Sequence, residues 1–263
     1  MCDLYARIIF PRLLELSVGG KALPKERTKA LKSVHGEVLE VGFGTGLNLP
    51  YYPSSVTRLV ALDPELMLPA KVSERIATAS FPVERVQQVG EHLPFATGQF
   101  DCVVTTLALC TIADPICALS EIWRVLRTGG TSAFLEHGRS ADPRMARFQD
   151  RLNPLWVRSG IARGCNINRP IDSLLAQSGL RIATARALRP WQAAYSHGDV
   201  PRDRNPRAAP PNTSPKVSAS EAIGLTSSTP TAASAPLSKS RPHQASCAQA
   251  APLPGGRFRE TSC

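Results

Sequence analysis

Short apolar runs alternate with amphipathic stretches along the chain from residue 37 to residue 187. Continuous apolar runs are typical of strands that are buried on both faces of a parallel sheet. The amphipathic stretches between them predict helices that cover the two faces of this sheet. The predicted strands lie at residues 37–41, 57–62, 83–88, 100–106, 131–136 and 180–187.

A seventh strand at residues 191–196 is marginal, because Trp-Gln-Ala-Ala-Tyr-Ser is a poor strand sequence. We therefore expect a mostly parallel, seven-stranded sheet in which the last strand is weak. The helix at 115–127 is expected to end on the glycine stop Thr-Gly-Gly that follows it. The predicted helices lie at residues 46–52, 65–79, 115–127 and 170–178, and residues 142–160 are expected to form a helical or irregular insert.

The first 30 residues predict a helical cap on this domain. Residues 4–18 form one or two amphipathic helices, and Pro11 starts a new turn. A helix that covers the core or acts as a lid is the preferred interpretation. A helix that lies on a membrane surface is the alternative.

Three glycines after the first strand predict a cofactor-binding turn. Gly42, Gly44 and Gly46, which we call the glycine loop, break the preceding apolar run. Glycine allows positive φ and leaves no Cβ between the backbone and a ligand. The second strand ends in Asp63, 17 residues after Gly46. A carboxylate there can accept hydrogen bonds from both hydroxyls of a ribose, which indicates a nucleoside-cofactor site at the carboxyl ends of parallel strands.

The glycine spacing narrows the choice of cofactor. A dinucleotide fingerprint needs a glycine at position 47, where this chain has Leu47, and no Lys-Ser/Thr pair follows to make a phosphate-binding P-loop. With Glu40 before the loop, the run E-x-G-x-G-x-G resembles motif I of the class I S-adenosylmethionine (SAM)-dependent methyltransferases. The resemblance implies a Rossmann-like α/β fold with SAM as cofactor.

Later motifs extend the resemblance over most of residues 4–190. Taken together, these motifs are similar to those of one branch of the family, the bacterial proteins that resemble the mammalian membrane-associated thiol methyltransferases. The motifs are Leu-Cys-Thr-Ile at 109–112, Arg-Val-Leu-Arg-x-Gly-Gly at 124–130, Glu-His-Gly at 136–138 and Gly-Cys-Asn-x-Asn-Arg-Pro-Ile at 164–171.

The resemblance also implies the cofactor contacts. Glu40 would engage the methionine ammonium, the glycine loop would run against the cofactor, and Asp63 would hold the ribose. Gly90 and Glu91 resemble the adenine-side segment, and Thr106 begins the segment that passes the sulfonium. Two alternatives stay open: Asp63 as a helix N-cap, and Glu91 as an ordinary surface residue.

Four residues are predicted to form the acceptor side of the site. His137 would act as a general base or orient the acceptor, although a structural histidine fits equally well. Cys110 and Trp156 would wall the pocket, with Cys110 interpreted as a small buried cysteine rather than a nucleophile. Asn168 would contribute a polar contact or cap a helix. No Cys and His residues show zinc-ligand spacing, so no metal is expected.

Composition divides the chain into two parts. Residues 1–200 predict the methyltransferase domain, whereas residues 201–263 are rich in Pro, Ser, Ala and Thr and predict a disordered, low-complexity tail. The net charge of +10 is shared equally by the two parts. No basic stripe is interleaved with aromatic residues, so nucleic acid is not an expected partner.

The sequence pattern predicts neither a membrane span nor a signal peptide. No run approaches 18 uncharged apolar residues, and the first 20 residues lack an uninterrupted apolar core. The seven cysteines are odd in number and form no C-x-x-C pair, which favours a reduced interior over a disulfide scaffold. We expect a cytoplasmic monomer, with peripheral membrane contact through the N-terminal helix left open.

Together these patterns predict a SAM-dependent methyltransferase that acts on a small-molecule acceptor. A thiol or another soft nucleophile is the first choice of acceptor, and a lipid or quinone precursor is the second. Two alternatives remain: a non-catalytic SAM-binding protein that keeps the fold, and, less favoured because of Leu47, an NAD(P)-dependent oxidoreductase.

Overall fold

A seven-stranded sheet lies at the centre of the protein. The computed structural model describes residues 5–18, 23–65, 67–161, 163–187 and 193–200. The sheet order is β3-β2-β1-β4-β5-β7-β6, and β7 alone among these strands runs in the direction opposite to the others. The strands are β1 Gly36–Val41, β2 Val56–Leu62, β3 Val83–Val86, β4 Phe100–Thr106, β5 Leu126–His137, β6 Arg181–Ala187 and β7 Ala193–Asp199.

Helices cover both faces of the sheet. A π-helical turn, Tyr5–Ile9, leads into the first of them, and a 3₁₀ turn, Leu49–Tyr51, replaces the predicted helix at 46–52. The α-helices are α1 Phe10–Val18, α2 Leu23–Leu31, α3 Pro69–Ala77, α4 Pro115–Val125, α5 Pro143–Arg158 and α6 Ile171–Gln177.

The core has two layers because successive residues of each strand point to opposite faces. On one face, Val103 of β4 belongs to a cluster with Leu119 of α4. On the other, its neighbour Val104 belongs to a cluster with Leu31 of α2 and Val72 of α3. This arrangement confirms the predicted α/β class with helices on both faces, and it explains why the central strands are apolar throughout.

Two predicted helix boundaries are wrong. The helix expected from residue 65 begins at Pro69, because residues 63–65 form a turn in which the Asp63 carboxylate accepts the N–H of Glu65 at 2.9 Å. The helix expected to end at residue 127 ends at Val125. The chain then extends directly into β5, since Leu126 pairs with Phe100 of β4. Hydrogen bonding to the sheet thus stops this helix ahead of the expected glycines.

The last strand lies at residues 193–199, later than the predicted 191–196. It occupies an interior position in the sheet, paired with β5 from Thr131↔Asp199 to His137↔Ala193 and with β6 on its other side. Backbone hydrogen bonds on two sides can define a strand whose side chains have low strand propensity. Its marginal stability stays a prediction.

The predicted tail, residues 201–263, lies outside the described residues. Among the helices within the described ranges, none combines the length and apolar character that crossing a bilayer requires.

Sheet topology also locates the place where a ligand is expected. The strand order reverses between β1 and β4, because β2 and β3 lie to one side of β1, whereas β4 and β5 lie to the other. In open α/β sheets, ligands bind outside the carboxyl ends of the strands at such a switch point.

Candidate functional site

A cavity of about 670 Å³ opens at the carboxyl ends of β1, β2 and β4. This volume is within the range of small-molecule and cofactor sites. The structure brings most of the sequence-predicted residues to it. Those that line the cavity are Glu40, Gly42, Gly44, Asp63, Gly90, Glu91, Thr106, Cys110, His137 and Trp156.

Two predicted site residues lie off the cavity. The N–H of Gly46 closes a tight turn by donating to the carbonyl of Phe43 at 3.0 Å. The Asn168 amide donates to the Asp150 carboxylate at 3.1 Å, and α6 has Pro170 at its N-cap position with no side-chain cap bond. The alternative role of Asn168 as a helix cap is therefore wrong, and its contact with an acceptor stays a prediction.

The glycine loop needs glycine for two different reasons. At Gly42, which has φ +81°, an added Cβ would lie 2.4 Å from the Cβ of Ala108, so this position allows close packing against the segment after β4. At Gly44, which has φ +58°, an added Cβ would meet no atom within 4 Å. Gly44 therefore leaves open space at the wall of the cavity.

Asp63 is held by the backbone on both carboxylate oxygens. Oδ2 accepts the N–H of Gly44 at 2.8 Å, and Oδ1 accepts the N–H of Glu65 at 2.9 Å. Burial raises the pKa of Asp63, and these two hydrogen bonds oppose the rise. Because α3 begins at Pro69, Asp63 is not the cap of that helix, and its carboxylate is fixed at the cavity wall.

Glu40 is a fully buried carboxylate at the end of β1. Its Oε1 accepts the amide of Asn48, and its Oε2 accepts the hydroxyl of Tyr52, both at 2.8 Å. Burial raises the pKa of Glu40 to about 7, although both hydrogen bonds and the charge of Arg27 lower it. The carboxyl group is therefore poised to change its charge near neutral pH.

Arg27 was not among the predicted site residues. It is 5% exposed, lines the cavity and donates from its guanidinium to the side-chain oxygen of Asn48. The Asn48 amide in turn donates to Glu40 and, at 2.9 Å, to the hydroxyl of Thr106. A buried cation and a buried carboxylate thus share one hydrogen-bonded amide at the base of the cavity.

A second buried carboxylate shapes the segment after β4. Oε1 of Glu136 accepts the N–H groups of Ala108 at 3.1 Å and Leu109 at 3.2 Å. Leu107, just before them, has φ +54°, which is uncommon for a residue with a side chain. Glu136 therefore holds the turn that brings Cys110 to the cavity.

The acceptor side contains a cluster of two thiols and an imidazole. The side-chain ligand atoms of Cys110, His137 and Cys165 all lie within 4.8 Å of one another, and Cys165 Sγ lies 3.2 Å from His137 Nε2. The hydrogen bond between the thiols, then burial, raises the pKa of Cys110, and the same bond lowers the pKa of Cys165. Cys165 stands in the motif at 164–171, but nothing in the sequence places it near Cys110.

Helix α1 forms part of the cavity wall. Phe10, Leu13 and Leu14 line the cavity. The Glu15 carboxylate pairs with Arg75 of α3 at 2.5 Å. This ion pair anchors α1 beside the cavity, and the role of this helix as a lid stays a prediction.

Comparison with known proteins places this geometry in a family. A model of the methyltransferase domain matches residues 39–134. The human thiol S-methyltransferases TMT1A and TMT1B are 33% and 35% identical to the chain, over 61% and 54% of it. The chain spans 67% of the length of TMT1A and 59% of that of TMT1B.

Two further comparisons agree. The phosphatidylethanolamine N-methyltransferase of Cereibacter sphaeroides is 32% identical over 49% of this chain and 68% of its own length. A solved SAM-dependent methyltransferase from Thermotoga maritima superposes with a TM-score of 0.53 and 16% identity, over 75% of this chain and 98% of its own, which shows a shared fold. The chain belongs to the class I SAM-dependent methyltransferases, and SAM is its cofactor.

Proposed function

We propose that the protein transfers the methyl group of SAM to the thiol of a small molecule. One observation carries the proposal: a single cavity joins the glycine loop and its carboxylates to a wall with soft sulfur and imidazole groups. Its similarity to proteins named thiol S-methyltransferases supports the same acceptor class.

The described residues fit the cofactor. We propose that Asp63 accepts the ribose hydroxyls, because the backbone already orients its carboxylate. Glu40 would attract the ammonium of the methionine part of SAM, and Arg27 would attract the carboxylate of that same methionine part. Gly44 supplies the open space that a cofactor needs beside the backbone.

The proposed cofactor side of the cavity also includes Gly90, Glu91 and Thr106. Gly90 and Glu91 line the cavity and would face the adenine. The Glu91 carboxylate accepts the N–H of Asp114 at 3.1 Å, which ties this residue to the start of α4. Thr106 is tied through Asn48 to Glu40 and would lie beside the sulfonium end.

When bound, SAM supplies an electrophilic methyl group on a sulfonium. The acceptor sulfur, as a thiolate, bonds to the methyl carbon while the carbon–sulfonium bond breaks and its electron pair stays on the cofactor sulfur. The chain has to align the reactants, exclude water and manage the acceptor's proton. His137, at the end of β5 in the cavity wall, would receive that proton or orient the acceptor.

A lipid or quinone precursor is the second candidate acceptor. The observation that favours it is the apolar wall from α1, together with the exposed Leu13 and Leu16 on the same helix. We propose that α1 contacts a bilayer surface peripherally, which would give such acceptors a route to the cavity. The cytoplasmic location and monomeric state stay predictions.

Incubation with labelled SAM and a panel of thiols, amines, phenols and phospholipids tests the function. We expect label on thiols. Label on phospholipids alone would replace the first candidate with the second. Tight SAM binding without labelling of any acceptor would support the non-catalytic alternative. A thermal shift with NAD(P) but none with SAM would support the oxidoreductase.

A further inference from the structure

We propose that Cys110, His137 and Cys165 bind a Zn²⁺ ion whose fourth position receives the thiolate of the acceptor. The ion site stands on the geometry of these three residues. The identity of the fourth ligand rests on the proposed thiol methylation.

Three separate segments contribute the three side chains. Cys110 lies in the turn after β4, His137 ends β5, and Cys165 lies between α5 and α6. Their ligand atoms lie within 4.8 Å of one another, and all three residues line the cavity. The cluster therefore faces the space in which an acceptor would bind.

The donor set and its spacing suit zinc. Bond lengths of about 2.3 Å to sulfur and 2.0–2.1 Å to nitrogen in a tetrahedron place neighbouring ligand atoms roughly 3.5–3.8 Å apart. Cys165 Sγ lies 3.2 Å from His137 Nε2, and no two of the three ligand atoms are more than 4.8 Å apart. These distances differ from those of a zinc tetrahedron by about one ångström or less. Side-chain rotation can supply such an adjustment, and two cysteines with one histidine form a known zinc ligand set.

Hydrogen bonds from Asn166 and Arg169 hold the two cysteine-bearing segments together. The carbonyl of Cys110 accepts the backbone N–H of Asn166 at 2.9 Å and its side-chain amide at 3.3 Å. The Arg169 guanidinium donates to the carbonyls of Leu109 at 2.6 Å and Ile112 at 2.5 Å, on both sides of Cys110. Such outer contacts orient metal ligands before the ion binds.

Charge and proton balance are consistent with this site. Binding breaks the S–H bonds of Cys110 and Cys165, forms two Zn–S bonds and releases two protons, so the ion and the two thiolates are neutral together. Three protein ligands leave one position open, which is typical of catalytic rather than structural zinc.

The open position explains how an acceptor thiol would be activated. The S–H bond of the acceptor breaks as a third Zn–S bond forms, and the proton leaves to solvent. The acceptor is then held as a thiolate at neutral pH. In this arrangement His137 acts as a ligand, and coordination takes the place of proton uptake by a free imidazole.

Cobalt titration of the reduced, metal-stripped, full-length protein tests the ion site. We expect one equivalent of Co²⁺ to give thiolate-to-cobalt charge-transfer absorption and the intense visible bands of tetrahedral cobalt, both removed by Zn²⁺. Cys110→Ser and Cys165→Ser should each weaken Zn²⁺ binding by more than about 100-fold, since changes to residues that only orient the ligands already cost about 10–100-fold.

Cys102→Ser is the matched control. Cys102 is also buried and has a histidine neighbour, with its Sγ 3.6 Å from His35 Nδ1, but it lies outside the cavity and outside the cluster. This variant should keep the cobalt spectrum. Thermal melting and SAM binding of each variant show that the fold is retained.

Separate outcomes overturn the two parts of the proposal. Absence of the charge-transfer band in the reduced wild type, or its persistence when both Cys110 and Cys165 are Ser, would overturn the ion site. Undiminished thiol methylation by metal-free protein would overturn the role of the fourth ligand and leave the proposed function intact. Cobalt binding with no thiol methylation would overturn the proposed function and leave the ion site intact.

Discussion

The carboxylate of Asp63 accepts a hydrogen bond from the backbone N–H of Gly44 at 2.8 Å. This bond joins the end of β2 to the glycine loop after β1, so two features that are 19 residues apart in the chain form one surface. The second oxygen of Asp63 is bound by the N–H of Glu65. The carboxylate is thus oriented in the ligand-free chain, which reduces the ordering cost when the cofactor binds.

We expect Asp63→Ala to weaken SAM binding by about 10- to 100-fold. Hydrogen bonds to a charged group contribute about 1.5–3 kcal/mol, and each 1.4 kcal/mol corresponds to a factor of ten. Isothermal titration calorimetry measures the change. Asp172→Ala, an exposed residue in the first turn of α6, is the control and should bind SAM normally. Equal affinity of Asp63→Ala and wild type would refute the ribose assignment.

Alanine substitutions at three glycines separate effects on the cofactor from effects on the backbone. Gly44 and Gly160 both have positive φ and open space around an added Cβ, but only Gly44 lines the cavity. Gly44→Ala and Gly160→Ala should therefore lose similar stability, about 1 kcal/mol, whereas only Gly44→Ala should lose SAM binding. Gly42→Ala should be the least stable of the three, because its Cβ would meet Ala108 at 2.4 Å.

Urea unfolding and SAM titration of these three variants provide the measurements. Normal SAM affinity in a folded Gly44→Ala variant would show that the cofactor does not run against this residue. A Gly160→Ala variant that loses SAM binding would show that backbone strain alone, at a distance, accounts for the effect.

The sequence predicts the strands well because the signal is local. Val103 and Val104 are successive apolar residues that pack on opposite faces of β4, so the run itself records burial on both faces. Helix boundaries are less predictable, since the end of α4 at Val125 depends on pairing between Leu126 and Phe100. That contact between distant residues has no counterpart in the local pattern.

The cofactor side was also more predictable than the acceptor side. Glu40 and Asp63 are marked by their positions at the ends of apolar runs, next to glycines. Arg27 lies among other charged residues of α2, and only its burial in the fold distinguishes it. Cys110 and Cys165 are 55 residues apart, so a metal-ligand spacing cannot be recognised from the chain alone.

We expect SAM affinity to rise between pH 6 and pH 7.5 through ionisation of Glu40. Its pKa of about 7 means that the carboxyl is mostly protonated at the lower pH and mostly ionised at the higher. Only the ionised form attracts the methionine ammonium, so the gain should be less than about tenfold. Glu40→Gln should bind SAM more weakly and lose most of this pH dependence. The same slope in both proteins would assign the effect to another group.

The stability of the ligand-free protein should show the opposite trend. The folded pKa of Glu40 is raised above its ordinary 4.5, so the folded state binds more protons than the unfolded state between pH 4.5 and about 7. Raising the pH through this window therefore destabilises the folded wild type relative to Glu40→Gln, by on the order of 3 kcal/mol at most. Urea unfolding of both proteins at pH 5 and pH 8 checks the sign.

Glu136 is expected to stabilise the fold as a hydrogen-bond acceptor, and this role does not require its carboxyl group to be ionised. Glu136→Ala leaves the buried N–H groups of Ala108 and Leu109 unpaired, which should cost about 2–5 kcal/mol of unfolding free energy. Glu136→Gln keeps an acceptor oxygen and should lose much less. Glu84→Ala, at an exposed ion pair with Arg58, should change stability by less than about 1 kcal/mol. Equal losses in Glu136→Ala and Glu136→Gln would point to the charge instead.

Membrane contact through α1 predicts that a charged residue on the exposed face of this helix weakens binding to phospholipid vesicles. Leu16 is 80% exposed on the helix that lines the cavity, and Ile116 is 45% exposed on α4. Burying one leucine in the interface contributes about 1.5–3 kcal/mol, so Leu16→Glu should reduce sedimentation with phospholipid vesicles by roughly tenfold or more. Ile116→Glu adds the same charge to a different helix, α4, and should sediment like the wild type. Equal loss in both variants would indicate a general effect of negative charge, and undiminished binding of Leu16→Glu would remove α1 as the contact.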